Sequence, residues 1–199
     1  MMSSGDPMDR TAPAEVPAGP RGDLGPEIAG LIAQRVVDVP DFPQPGVVFK
    51  DITPLFAHSE TFRAVVDAIV AQYGEDGFDQ VAGIEARGFV LAAAVAYAAN
   101  VGVVPVRKAG KLPRRTLNAS YQLEYGEASI EVHADAFRPG ERVLVVDDVL
   151  ATGGTAAAAL DLVERAGGTV VGLTVLIELS FLKGRERLPD RPVSALLTI

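Results

Sequence analysis

The chain has 199 residues, 48% of them apolar, with 18 basic against 26 acidic side chains and a formal net charge of −8. That length suits one domain with room for a flap or tail, and the acidity argues against a nucleic-acid backbone as partner. Cysteine is absent, which excludes disulfides, thiolate metal sites and a cysteine nucleophile and suits a cytoplasmic protein.

Residues 1–23 are rich in Pro, Gly, Ala and Ser, hold no secretory apolar segment, and read as a disordered extension before a single domain over 24–199. Ile28, Leu31, Ile32 and Val36 recur at helical spacing within 24–37. The Pro-rich piece 40–54 reads as a shaped loop without regular structure. Ser59 is the expected N-cap of a helix burying Phe62, Val65, Val66, Ile69 and Val70. Strands and helices then alternate. Residues 80–84 form a strand and 88–100 a helix. The apolar run 89–99 inside that helix is about half as long as a membrane span, so it reads as buried and no membrane partner is expected. A strand follows at 103–107. Segments 120–124 and 128–133 straddle Tyr125-Gly126 as a hairpin or flap. Residues 143–146, apolar on both faces, are a central parallel strand. A helix over 155–166 ends at Gly167-Gly168, and strands follow at 170–179 and 193–199. This order predicts an α/β domain with a central, mostly parallel sheet flanked by helices.

Ligands of such sheets gather beyond the carboxyl ends of the strands. There the chain reads Val-Leu-Val-Val-Asp-Asp-Val-Leu-Ala-Thr-Gly-Gly-Thr over 143–155. Asp147 and Asp148 are placed where the strand runs out, and Ala151, Thr152, Gly153, Gly154 and Thr155 turn into a helix. Small residues let backbone N–H groups approach a ligand, two threonines add hydroxyls, and the helix start favours a dianionic phosphate. Two carboxylates beside a phosphate would repel it unless a polyhydroxylic group lay between, and ribose hydroxyls supply that. Neither a Walker string nor a dinucleotide-binding glycine fingerprint occurs.

This segment resembles the phosphoribosyl pyrophosphate (PRPP) motif of type I phosphoribosyltransferases. Over 42–52, Phe-Pro-Gln-Pro-Gly-Val-Val-Phe-Lys-Asp-Ile is similar to the segment that marks the adenine phosphoribosyltransferases. The likeness runs from about residue 38 to 199 and includes Glu-Leu-Ser-Phe-Leu-Lys-Gly-Arg-Glu over 178–186. It implies the type I fold with a small hood and a flexible flap, and transfer of 5-phosphoribose from PRPP to adenine in purine salvage. The paired acids would hold ribose, and residues 151–155 the 5-phosphate. Glu85, Ala86 and Arg87 match the pyrophosphate loop, where the family often has a cis peptide, here between Glu85 and Ala86. Five cations cluster over 107–116. Of these Arg107, Lys108 and Lys111 are assigned to pyrophosphate, with Tyr125 closing over PRPP, and Arg114 and Arg115 to outer contacts or solvent. Phe49 would stack on the purine while backbone groups of Val48 and Lys50 read its edge. Glu124 matches the proposed general acid/base. Mg²⁺ would ride on PRPP, with no metal cage in the protein, and a homodimer is implied because some of the family's cations reach a neighbouring subunit. His58 and His133 match no motif. Rival readings are transfer to another base, a non-catalytic PRPP-sensing regulator, and pyrophosphate transfer onto ribose phosphate.

Overall fold

Alternating apolar strands and helices close into three layers around a seven-stranded sheet of order β5-β6-β4-β3-β7-β8-β9. A computed structural model describes residues 25–74, 76–122 and 127–199, so the expected extension over 1–23 lies outside them. The sheet strands are β3 (Gln80–Ile84), β4 (Gly102–Lys108), β5 (Thr116–Gln122), β6 (Glu127–His133), β7 (Arg142–Leu150), β8 (Thr169–Glu178) and β9 (Val193–Thr198). Strands β4, β3, β7, β8 and β9 run parallel, and β5–β6 joins the β4 edge antiparallel through Arg107↔Glu131 and Lys108↔Ile130.

Both faces of the central strands are covered, which explains their continuous apolar runs. Ala82, Ile84, Val143 and Val145 pack toward α5 (Gly154–Arg165), with Ile130 and Val132 in the same cluster. Val81, Leu144 and Val146 pack toward α3 (Ser59–Tyr73) and α4 (Gly88–Ala98). On that side α1 (Gly25–Ala33) packs on β9 and α3. Buried polar groups there are paired: Gln72 and Ser194 exchange hydrogen bonds at 2.7 and 3.0 Å, and the Tyr73 hydroxyl meets Thr174 at 2.9 Å. Burial pushes the Tyr73 pKa up to about 12.

Several local expectations are corrected. Segment 40–54 is ordered, not irregular: β1 (Val37–Pro40) and β2 (Val48–Asp51) form a two-stranded antiparallel hood, followed by the short helix α2 (Thr53–Ala57). Its prolines occupy a strand end, the connecting turn and a helix start, positions that need no ladder N–H. Residues 34–36 are not helical, and β1 takes Val37. His58 rather than Ser59 caps α3, with its Nδ1 accepting the Thr61 N–H at 3.3 Å. His133 meets the Pro113 carbonyl at 2.6 Å. Helix α4 is buried on one side only: Leu91, Ala92, Val95 and Ala96 are enclosed, while Val90 is exposed and Tyr97 is 88% exposed.

Candidate active site

The connections around the sheet locate the site. Helix α4 leaves β3 on one face and α5 leaves β7 on the other, so the chain reverses between β3 and β7. Such a switch point opens a crevice at the carboxyl ends of the strands. The β3–β7 ladder ends at Gly83↔Val146, whereas β7 stays paired with β8 as far as Leu150↔Glu178. Asp147 and Asp148 therefore lie within β7, not beyond its end as the sequence suggested. They stand where the sheet forks.

A cleft of about 840 Å³ occupies this fork. It gathers Val48, Phe49 and Lys50 from the hood, Arg87, Asp148, and Ala151 with Thr152. Arg87 is the link between its halves. Its Nε donates to Asp148 Oδ2 at 2.5 Å, and its guanidinium carbon sits 4.8 Å from the centroid of the Phe49 ring. Phe42 meets the same ring edge-on at 5.1 Å. The Lys50 ammonium is tied to Asp38 at 2.7 Å, its register partner across the hood.

Residues 151–155 form the turn into α5. Gly153 is left-handed at φ 81° and caps the helix. A Cβ there would overlap the Gly184 carbonyl oxygen, and a Cβ on Gly184 would overlap the Ala151 carbonyl oxygen. The turn Gly184–Arg187 therefore braces the loop through backbone contact that only glycines permit. The free N–H groups at the α5 start suit a phosphate.

Asp147 is not on the cleft wall. It is buried, its Oδ1 accepts the Asp148 N–H at 2.9 Å, and that oxygen lies 2.8 Å from where a Gly88 Cβ would stand. Burial, then repulsion from Asp148, raises its pKa well above the ordinary carboxylate range. A raised acid costs stability as pH climbs above its unfolded pKa, up to its folded one. Asp147→Asn, which keeps the acceptor and cannot ionise, is expected to raise Tm more at pH 8 than at pH 4.5. Thermal melts giving the same Tm difference at both pH values would refute the raised pKa.

The other assigned residues form a second cluster beside the cleft. The Glu85–Ala86 peptide is cis, as is Phe42–Pro43. Glu85 Oε2 accepts the Lys108 N–H at 3.0 Å and Arg107 Nε at 3.2 Å. Burial alone would raise its pKa, but these donors and the two cations outweigh it and hold it low. Arg107 is thus engaged by Glu85, whereas the side chains of Lys108 and Lys111 meet no acid among the described residues. Glu124 and Tyr125 lie outside the described residues.

Comparison with known proteins decides between the sequence readings. The model of the phosphoribosyl transferase domain matches residues 55–195. An adenine phosphoribosyltransferase of Salinispora tropica is 71% identical, over 91% of this chain and 96% of its own. The crystal structure of adenine phosphoribosyltransferase from Rhodothermus marinus superposes with a TM-score of 0.83 at 51% identity, covering 88% of this chain and all of its own. The chain belongs to the adenine phosphoribosyltransferases. The Saccharomyces cerevisiae adenine phosphoribosyltransferase, solved with an imino-altritol bisphosphate and adenine, is 39% identical with a TM-score of 0.82, covering 86% of this chain and 99% of its own. Both the α/β fold and the mostly parallel sheet are those of the type I phosphoribosyltransferases. Several residues on this cleft went unassigned in the sequence. Leu179 and Phe181 line it from the adenine phosphoribosyltransferase segment over 178–186, and Phe181 is 67% exposed.

Proposed function

We propose that the chain transfers the 5-phosphoribosyl group of PRPP to adenine, forming AMP and pyrophosphate in purine salvage. The observation that carries this reading is the single cleft in which Arg87 joins the Phe49 ring to the Asp148 carboxylate, beside a phosphate-binding helix start. Adenine N9 bonds to the anomeric carbon as the bond to pyrophosphate breaks, and the N9 proton leaves to Glu124. Catalysis of such a loose, cationic transition state is chiefly positioning and charge neutralisation. Asp148 accepts from ribose hydroxyls, residues 151–155 hold the 5-phosphate, and Phe49 supplies an aromatic surface for the purine. Arg87, Lys108 and Lys111 face the leaving group, with Arg107 held through Glu85.

Among the described residues no three His, Asp or Glu side chains gather as a metal cage. Mg²⁺ arriving on PRPP would instead meet Asp148, an acid on the cleft wall. When bound, Mg²⁺ supplies neutralisation of the pyrophosphate charge. Helix α4 exposes Tyr97 and Val90 and is in contact with β4, which exposes Val103, and such apolar exposure suits burial against a second copy. We read the enzyme as a homodimer. A reducing cytoplasm accords with the absence of cysteine, and no described helix is long and apolar enough to cross a membrane.

The test is incubation of the protein with PRPP, Mg²⁺ and, separately, adenine, hypoxanthine, guanine and orotate, with nucleotide products measured. AMP is expected as the dominant product. Faster turnover of hypoxanthine or guanine would overturn the substrate, and no turnover of any base would favour a PRPP sensor.

A further inference from the structure

Glu131 lies in the middle of β6 and is only 4% exposed. No cation pairs with it among the described residues. Its oxygens are filled by the loop between β4 and β5. Oε1 accepts the N–H groups of Lys111 and Leu112, each at 2.8 Å, and Oε2 accepts the Thr116 hydroxyl at 3.2 Å. The Gly110 N–H also acts on it. An ionised carboxylate is costly to bury, and consecutive backbone donors are a means of compensating it.

These bonds hold a stretch of chain that does not hold itself. Gly110 and Arg114 on either side of it are both left-handed, at φ 81° and 71°. At the end of β4 that leads into this loop, Glu85 takes Arg107 and the Lys108 N–H, and Arg107 Nη1 donates to the Lys111 carbonyl at 3.3 Å. Two carboxylates thus clamp one cationic loop, Glu85 from the β3 end and Glu131 from the hairpin. Bound from behind through its backbone, the loop leaves the Lys108 and Lys111 ammonium groups exposed. A carboxylate serving only hairpin stability would have no need to spend its acceptors on the loop.

We infer that Glu131 is a positioning residue, one that sets the cationic loop over 107–112 in its pyrophosphate-binding shape before substrate arrives and fastens that loop to the flap hairpin. This rests on the reading in which that loop meets the pyrophosphate of PRPP. Loss of the clamp should raise the cost of ordering the loop on binding, which falls on PRPP and not on adenine.

The experiment compares wild type, Glu131→Ala and Glu131→Gln by steady-state kinetics with each substrate varied, alongside thermal melts. Glu131→Ala is expected to raise KM for PRPP about tenfold while KM for adenine stays within about twofold. Gln keeps an oxygen for the Lys111 and Leu112 donors, so Glu131→Gln should recover PRPP KM to within about threefold of wild type. A folded Glu131→Ala enzyme with unchanged PRPP KM overturns the inference, as does an equal loss for both substrates that Gln does not rescue. Hydrogen exchange gives a second readout if the alanine variant fails to fold or the wild type turns over no base. The Lys111 and Leu112 amides of the substrate-free wild type should be protected, and rapid exchange there overturns the inference. Absence of wild-type turnover counts against the functional reading alone.

Discussion

Replacing Glu124 by alanine is expected to lower kcat by about 10²–10³-fold while PRPP affinity, measured by calorimetry, stays within about twofold. Bond formation at N9 makes the ring nitrogen cationic unless its proton leaves, and in the proposed reading the Glu124 carboxylate takes that proton. The β5–β6 ladder pairs Gln122 with Glu127, and Glu131 helps to join those strands by accepting the Thr116 hydroxyl. Glu124→Gln keeps the size and loses the basicity, so it should be as slow as Glu124→Ala. If either variant retained near-normal kcat, the proton would have another acceptor. If both lost PRPP affinity in step with rate, Glu124 would belong to substrate binding.

Gly153→Ala is the second large effect, and it acts through shape. Alanine at φ 81° pays the left-handed penalty, about 1–2 kcal/mol. Its Cβ would also overlap the Gly184 carbonyl oxygen, so the phosphate loop or the turn behind it must move. Together these should lower Tm by about 5–10 °C and weaken PRPP binding by at least about tenfold. Gly140→Ala is the control: Gly140 has φ 77°, and nothing lies within 4 Å of its Cβ position. It should show only the backbone cost, with PRPP binding unchanged. Equal behaviour of the two variants would mean that Gly184 does not brace the loop.

The central architecture was legible because burial on both faces writes a continuous apolar string, as in residues 143–146, and because Thr-Gly-Gly-Thr marks a helix start. Arg87 and Phe49, assigned through the family resemblance of their segments, both lie on the cleft. Other features depend on partners far away in sequence. Asp147 and Asp148 look like a strand end until β8 is seen to extend the ladder to Leu150. The resemblance implied a hood, but its two strands were hidden because prolines read as breakers, although Pro40 sits at a strand end and Pro43 and Pro45 in the turn. Glu131 alternates with Ile130 and Val132, so its pattern is that of a solvent-facing strand residue; only the returning loop buries it. Phe181 carried no signal beyond being an aromatic within a motif. Its place on the cleft depends on how the turn Ser180–Leu182 folds back, where Ser180 N–H and hydroxyl both donate to the Ile199 carbonyl, at 2.9 and 2.8 Å.

The brace behind the phosphate loop also bears on the order in which the molecule can be made. Leaving the ribosome, the chain exposes Arg87, the cationic loop and both acids of β7 well before Gly184. Helix α1 precedes every described strand, yet it packs on β9, which follows all the others. In chain order the acids of β7 and the turn 151–155 therefore precede the glycine turn that braces them, and a fragment stopping at β8 would contain the turn 151–155 without that brace. The earlier parts are locked in place only once the turn at Gly184 and strand β9 have joined them.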